Sequence, residues 1–93
     1  IRIGTFPFSA LGKAVAINST SGFVKVIFDS EYGELVGCHI IGHSATEIVL
    51  SACLARTLET TAKEILHTIH PHPTMSESFQ EAVADAYNEA IHL

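Results

Sequence analysis

Apolar and polar positions change their spacing near the middle of the chain, and the change divides a strand-like half from a helix-like half. Phe23-Val24-Lys25-Val26-Ile27-Phe28 is β-branched and aromatic throughout, which suits a pleated, half-buried strand. Thr5-Phe6-Pro7-Phe8 reads as a short extended piece. Pro7 has no amide proton to give to a ladder, so it points to an edge position. Residues 14–17 are apolar and β-compatible, and the cluster Asn18-Ser19-Thr20-Ser21-Gly22 reads as a turn. Ser30-Glu31-Tyr32-Gly33 turns the chain again. Residues 35–41 return it as a strand that is apolar on both faces, and so predicted to be central and covered. Consecutive strands joined by short turns predict an antiparallel meander.

The second half changes period. Ser44-Ala45-Thr46-Glu47 fits a capping box, in which the serine and glutamate side chains satisfy orphan backbone amides. Residues 48–58 are apolar almost all round, which predicts a helix sandwiched between layers. Thr61-Ala62-Lys63-Glu64 is a second box, opening a short helix that ends near His67. Thr74-Met75-Ser76-Glu77 is a third, and it predicts a helix from Thr74. Behind it Phe79, Val83, Ala86, Tyr87, Ala90 and Ile91 recur at helical spacing, and Glu81, Asp85 and Glu89 form the opposite, wet face. Strands first and helices after predict an α+β fold: an antiparallel sheet packed against C-terminal helices as a two-layer sandwich.

Composition narrows the function classes. With 93 residues, 47% hydrophobic and 16% charged, the chain suits one folded domain rather than a disordered segment. So little charge implies that part of the surface is buried against something else. The net charge is −5, and the five cations, Arg2, Lys13, Lys25, Arg56 and Lys63, are scattered. This argues against nucleic acid and against a membrane surface as partners. No apolar run approaches the roughly 18 residues that span a bilayer. Ile1-Arg2-Ile3-Gly4 reads as strand rather than as a signal peptide, and the lack of an initiating Met predicts a piece of something longer. Cys38 and Cys53, in apolar surroundings and outside any C-x-x-C motif, read as two buried free thiols.

The chemistry concentrates in His70-Pro71-His72-Pro73-Thr74-Met75-Ser76-Glu77. Pro73 pushes His72 out of the helical region, and an X-Pro bond is the kind that readily goes cis. His72 then stands ahead of a helix N-terminus, whose partial positive charge disfavours an imidazolium. A histidine kept neutral can accept a proton near pH 7. Glu77, bonded to one ring nitrogen, would fix the tautomer and stabilise the cation, as the acid does in a Ser-His-Asp triad. Two plainer readings stand beside this one: Glu77 as only a cap, and His72 as only a solvated turn residue. His67, His70 and His72 lie close in sequence, but the two prolines separate their rings, and no metal site is assigned. His39, His43 and His92 read as turn or surface residues. No serine or cysteine sits in a nucleophile elbow. A base without the group it would serve is half a site.

The ordered set of motifs resembles a known family. Phe6-Pro7-Phe8-Ser9-Ala10 with Gly12-Lys13-Ala14, Gly37-Cys38-His39-Ile40-Ile41-Gly42 with residues 45–47, and His72-Pro73-Thr74-Met75-Ser76-Glu77 span the whole chain. Together they resemble the C-terminal interface domain of dihydrolipoamide dehydrogenases, in the pyridine nucleotide-disulfide oxidoreductase family. The resemblance implies a homodimer with an FAD domain and an NAD domain, both outside this chain. It implies that the catalytic pair is His72 and Glu77, given to a redox disulfide on the other subunit, and it places Pro73, after a cis bond, in the cofactor-binding set. The histidine takes a proton from a dihydrolipoamide thiol, and electrons then pass through FAD to NAD. The implied partners are a second copy, the rest of the parent enzyme and the acyltransferase core of a 2-oxoacid dehydrogenase complex. The implied location is the bacterial cytoplasm or the mitochondrial matrix.

Glutathione reductase shares a His-Pro-Thr…Glu signature, but the Phe-Pro-Phe-Ser-Ala opening and Ser78-Phe79-Gln80-Glu81-Ala82 favour the lipoamide enzyme. Mercuric reductase would end in paired cysteines, whereas these residues end Ile91-His92-Leu93. The chain departs from the full enzymes in lacking the Gly-rich dinucleotide fingerprints and the redox cysteine pair. Alone it is expected to bind neither FAD nor NAD and to catalyse nothing. A stand-alone dimerisation module is the non-enzymatic alternative.

Overall fold

Three antiparallel strands lie in the order β1-β2-β3, with β1 at Arg2–Pro7, β2 at Gly22–Phe28 and β3 at Leu35–Gly42. The computed structural model describes residues 1–18, 20–42, 45–68 and 72–87. Alternate side chains of β1 and β2 (Gly4, Phe6, Val24, Val26, Phe28) are buried and face the helices, as a one-sided sheet requires. The β2–β3 hairpin closes on Asp29–Glu34. The Gly33 N–H donates to the Asp29 carbonyl at 2.9 Å, and Gly33 adopts φ 82°, a backbone conformation that suits glycine. The α+β expectation and the meander order hold, but two strand assignments need correction. Residues 14–17 do not form a strand: Gly12–Ala16 is a helix, α1, after a 3-10 turn at Phe8–Ala10. Leu11, Ala14 and Ile17 turn inward at helical spacing while Val15 stays exposed. β3 is not central either. β2 has β1 on one side and β3 on the other, so β3 is an edge strand whose His39 and Ile41 are exposed.

The helices correct the expectation more sharply. The helices are α2 at Ala45–Thr57, α3 at Ala62–His67 and α4 at Glu77–Ala86. The helix predicted to be sandwiched is α2, yet it buries only Ile48, Ala52 and Ala55, on the side that meets β3 and the core. Leu50, Leu54 and Leu58 are 68%, 59% and 67% exposed, because the described residues provide no second layer over that side. Ser44, the cap proposed for α2, lies outside the described residues.

The sandwiched helix is α4, which packs on β1 and β2 and against α3. Its predicted wet face is not wet. Glu81 is 5% exposed, and Asp85 accepts the Thr5 N–H of β1 at 2.9 Å. Gly4 makes the close approach possible: a Cβ there would lie 2.1 Å from the Ala82 carbonyl oxygen and 2.5 Å from the Ala86 nitrogen. The Arg2 guanidinium lies 4.7 Å from the Tyr87 ring centroid, and Tyr87 meets Phe28 edge-on at 5.5 Å. Both contacts fasten the end of α4 to the sheet. Glu89, Ala90 and Ile91 lie outside the described residues.

Candidate functional site

α4 begins where its first carboxylate is most useful. Met75 and Ser76 form a turn, and the Ser78 N–H and hydroxyl both donate to the Met75 carbonyl, at 3.1 and 2.6 Å. The helix itself starts at Glu77, three residues later than predicted, and Ser76 stands at its N-cap. The Glu77 end of the expected capping box is made: the Thr74 N–H donates to Glu77 Oε1 at 2.9 Å. An acidic side chain in the first turn also complements the positive end of the helix. Upstream, Gln80 Nε2 donates to the carbonyls of Leu66 and Thr68, both at 3.2 Å, so the end of α3 is tied to α4.

The same carboxylate holds His72. Nδ1 of His72 lies 2.9 Å from Glu77 Oε1 and 3.0 Å from Oε2. A carboxylate accepts, so Nδ1 is the protonated nitrogen and the lone pair of the neutral ring falls on Nε2. The His72 side chain is 73% exposed and that of Glu77 15%. The holder is therefore fixed in the protein, and most of the ring it holds is open to solvent. Capping and histidine orientation appeared as rival explanations of Glu77; the geometry gives both jobs to one side chain. The His72–Pro73 bond is cis.

Gly12 is a site neighbour that sequence reasoning missed. A Cβ at Gly12 would lie 3.9 Å from His72 Cε1, so the start of α1 borders the ring. Sixty positions separate the two residues; Gly12 belongs to the Gly12-Lys13-Ala14 motif, but nothing in the sequence set it beside His72. Of the other described histidines, neither joins the site. His67 is exposed at the end of α3 and His39 is exposed on β3, while His43, His70 and His92 lie outside the described residues. Among the described residues no group of three His, Cys, Asp or Glu side chains could hold a metal ion. Cys38 and Cys53 are free thiols, but only Cys38 is partly buried; Cys53 is exposed on α2, against expectation.

An exposed imidazole with a fixed carboxylate behind it can take a proton at Nε2 and stabilise the resulting cation, and the fold around it has relatives. The sequence model described as "Pyridine nucleotide-disulphide oxidoreductase, dimerisation domain" matches residues 1–83. Dihydrolipoyl dehydrogenase of Zymomonas mobilis is 51% identical over 92 residues, which cover 99% of this chain and 20% of that protein. Dihydrolipoyl dehydrogenase of Bacillus subtilis is 44% identical over 92 residues, with 99% and 19% covered. The crystal structure of LpdA from Mycobacterium tuberculosis superposes with a TM-score of 0.83 at 26% identity, covering 88% of this chain and 18% of that one. The HOCl-induced flavoprotein disulfide reductase RclA of Escherichia coli, at 23% identity and a TM-score of 0.83, shares the fold. The chain belongs to the pyridine nucleotide-disulphide oxidoreductase dimerisation-domain family. It spans about a fifth of the length of the curated relatives it matches.

Proposed function

We infer that this chain is the interface domain of a dihydrolipoyl dehydrogenase, one unit of a longer enzyme whose FAD and NAD domains lie outside these residues. The observation that carries the reading is the grip of Glu77 on His72 Nδ1 at 2.9 Å, which leaves Nε2 outside that contact on a ring that is mostly exposed. His72 takes the proton of a dihydrolipoamide thiol, and Glu77 orients the ring and balances its charge. A thiol of pKa about 8.5 is only a few per cent thiolate at pH 7. A positioned base typically adds about 10²–10⁴-fold, and thiolate is the species that attacks a disulfide. The names of the relatives favour dihydrolipoamide over glutathione as the substrate class.

The described residues do not fit a flavin or dinucleotide by themselves. A phosphate cradle needs glycines that leave room at a helix start. Here Gly4 is closed by the α4 backbone and Gly42 by the Phe8 ring; Gly12 is open at the head of α1, but that helix is only five residues long and carries no glycine-rich loop before it. Pro73, exposed beside His72, can offer the cofactor no more than a wall. A bound flavin would supply the electron acceptor for the thiol couple; this chain supplies the base. The base then serves a site completed by another subunit, and the exposed Leu50 and Leu54 of α2, with Leu58 just beyond it, supply an apolar face for the homodimer. Changing His72→Gln in the full-length enzyme is expected to lower turnover at least about a hundredfold. Near-normal steady-state turnover would remove the base role.

A further inference from the structure

We propose that Cys38 and Cys53 are an oxidisable dithiol pair that closes into an intrachain disulfide across the seam between β3 and α2. The oxidant it would take is an anionic low-molecular-weight disulfide, such as glutathione disulfide. Cys38 pairs in register with the buried Val26, so it stands on the helix-facing side of β3. Cys53 belongs to α2, which packs on that strand. Both thiols line one groove of about 370 Å³. The small residues Gly37 and Ala52 line it too, which keeps the seam narrow. Arg56 lines the same groove and places a cation where an anionic disulfide would arrive.

The two cysteines differ in the way such a pair needs. Cys53 is exposed and meets the oxidant first. Burial pushes the Cys38 thiol up to about 11, and the neighbouring Cys53 adds to the rise. The Cys53 thiolate attacks one sulfur of the small disulfide, whose S–S bond breaks; one thiolate leaves and a mixed disulfide remains on Cys53. Cys38 then gives up its proton and attacks Cys53 Sγ. The mixed disulfide breaks, the Cys38–Cys53 bond forms, and the second thiol leaves with the proton. Two protein thiols are oxidised and one small disulfide is reduced to two thiols. With its pKa near 11, on the order of one Cys38 in ten thousand is thiolate at pH 7, so closure is the slow step.

The test treats the full-length protein carrying this chain with glutathione disulfide under native conditions, quenches with acid and maps the peptides by mass. At pH 9 a Cys38–Cys53 linked peptide, lighter by two hydrogens than the two reduced peptides, is expected. Its rate of formation should rise about tenfold per pH unit from pH 7 to 9. Cys38→Ser should stop at glutathione on Cys53, and Cys53→Ser should leave Cys38 unmodified. A mixed disulfide that persists at pH 9 beside an alkylatable Cys38 would overturn the pair, as would Cys53 joined to Cys53 of a second copy, or two unreacted thiols.

Discussion

α2 and α4 are the two long helices of the chain, and they spend their apolar surface differently. α4 meets the sheet on one side and α3 on another, and even its Glu81 is buried. α2 meets β3 and the core along one stripe and leaves Leu50, Leu54 and Leu58 facing outward. A helix enclosed within its own chain makes a fixed platform, and the His72–Glu77 pair stands at the head of α4. A helix with an uncovered leucine ridge has an unmet need for a partner. One helix thus holds the His72–Glu77 pair while the other leaves an apolar face uncovered, the division that the proposed function, a site shared between subunits, calls for.

The largest effect is expected at Phe79, the α4 side chain that is buried in the core. Phe79→Ala should cost about 3–5 kcal/mol through lost burial and the cavity left behind. A domain of this size has about 5–15 kcal/mol in all, so the variant should be largely unfolded on modest warming. Denaturant unfolding followed by circular dichroism measures it. A loss below about 1 kcal/mol would mean that α4 is not the central support.

Leu54→Ser probes the other helix and should show the opposite profile. The side chain is mostly in water within this chain, so its removal should change the unfolding free energy of the monomer by no more than about 0.5 kcal/mol. Its effect should fall on association: sedimentation at high micromolar concentration should show a dimer for the parent and a monomer for the variant. A variant that remains dimeric would place the interface elsewhere.

The contrast between the helices was only half legible in the sequence. Apolar periodicity identified both, and the Thr61–Glu64 cap and the His72–Glu77 spacing could be read residue by residue because they are local. Burial was not local. The all-round apolar pattern of α2 signals coverage, but it cannot tell whether the cover is another layer of the same chain or a second molecule. The charges of α4 signal water, but Gly4 draws the helix onto the sheet, and Asp85 finds the Thr5 amide eighty positions away. Residues 14–17 failed for a related reason: a short apolar run fits strand and helix alike, and the inward placement of Leu11 and Ala14 decided for helix. Gly12 beside His72 could not be seen at all without the fold.

The smallest expected effect lies at the cap of α3, whose far end Gln80 ties to α4. Both the N–H and the hydroxyl of Thr61 donate to the Glu64 carboxylate, at 3.1 and 2.7 Å. Those bonds, the hydroxyl's first, hold the Glu64 carboxyl below the usual carboxylate range. A carboxyl whose folded-state pKa is depressed contributes stability above its unfolded value, and that contribution is lost as pH falls through the folded value. Thr61 is the N-cap of α3, and losing a Thr cap typically costs about 1 kcal/mol, so Thr61→Ala should be a modest loss at pH 7. The difference between parent and variant should shrink once the pH falls below the ordinary glutamate value of 4.5, because protonated Glu64 no longer accepts both bonds in the parent. Denaturant unfolding of both proteins at neutral and at acid pH gives the comparison. A gap that stays constant across that range would mean that Thr61 acts through packing and not through the carboxylate. The link between α3 and the platform of α4 would then rest on Gln80 and apolar contact, and would not depend on pH.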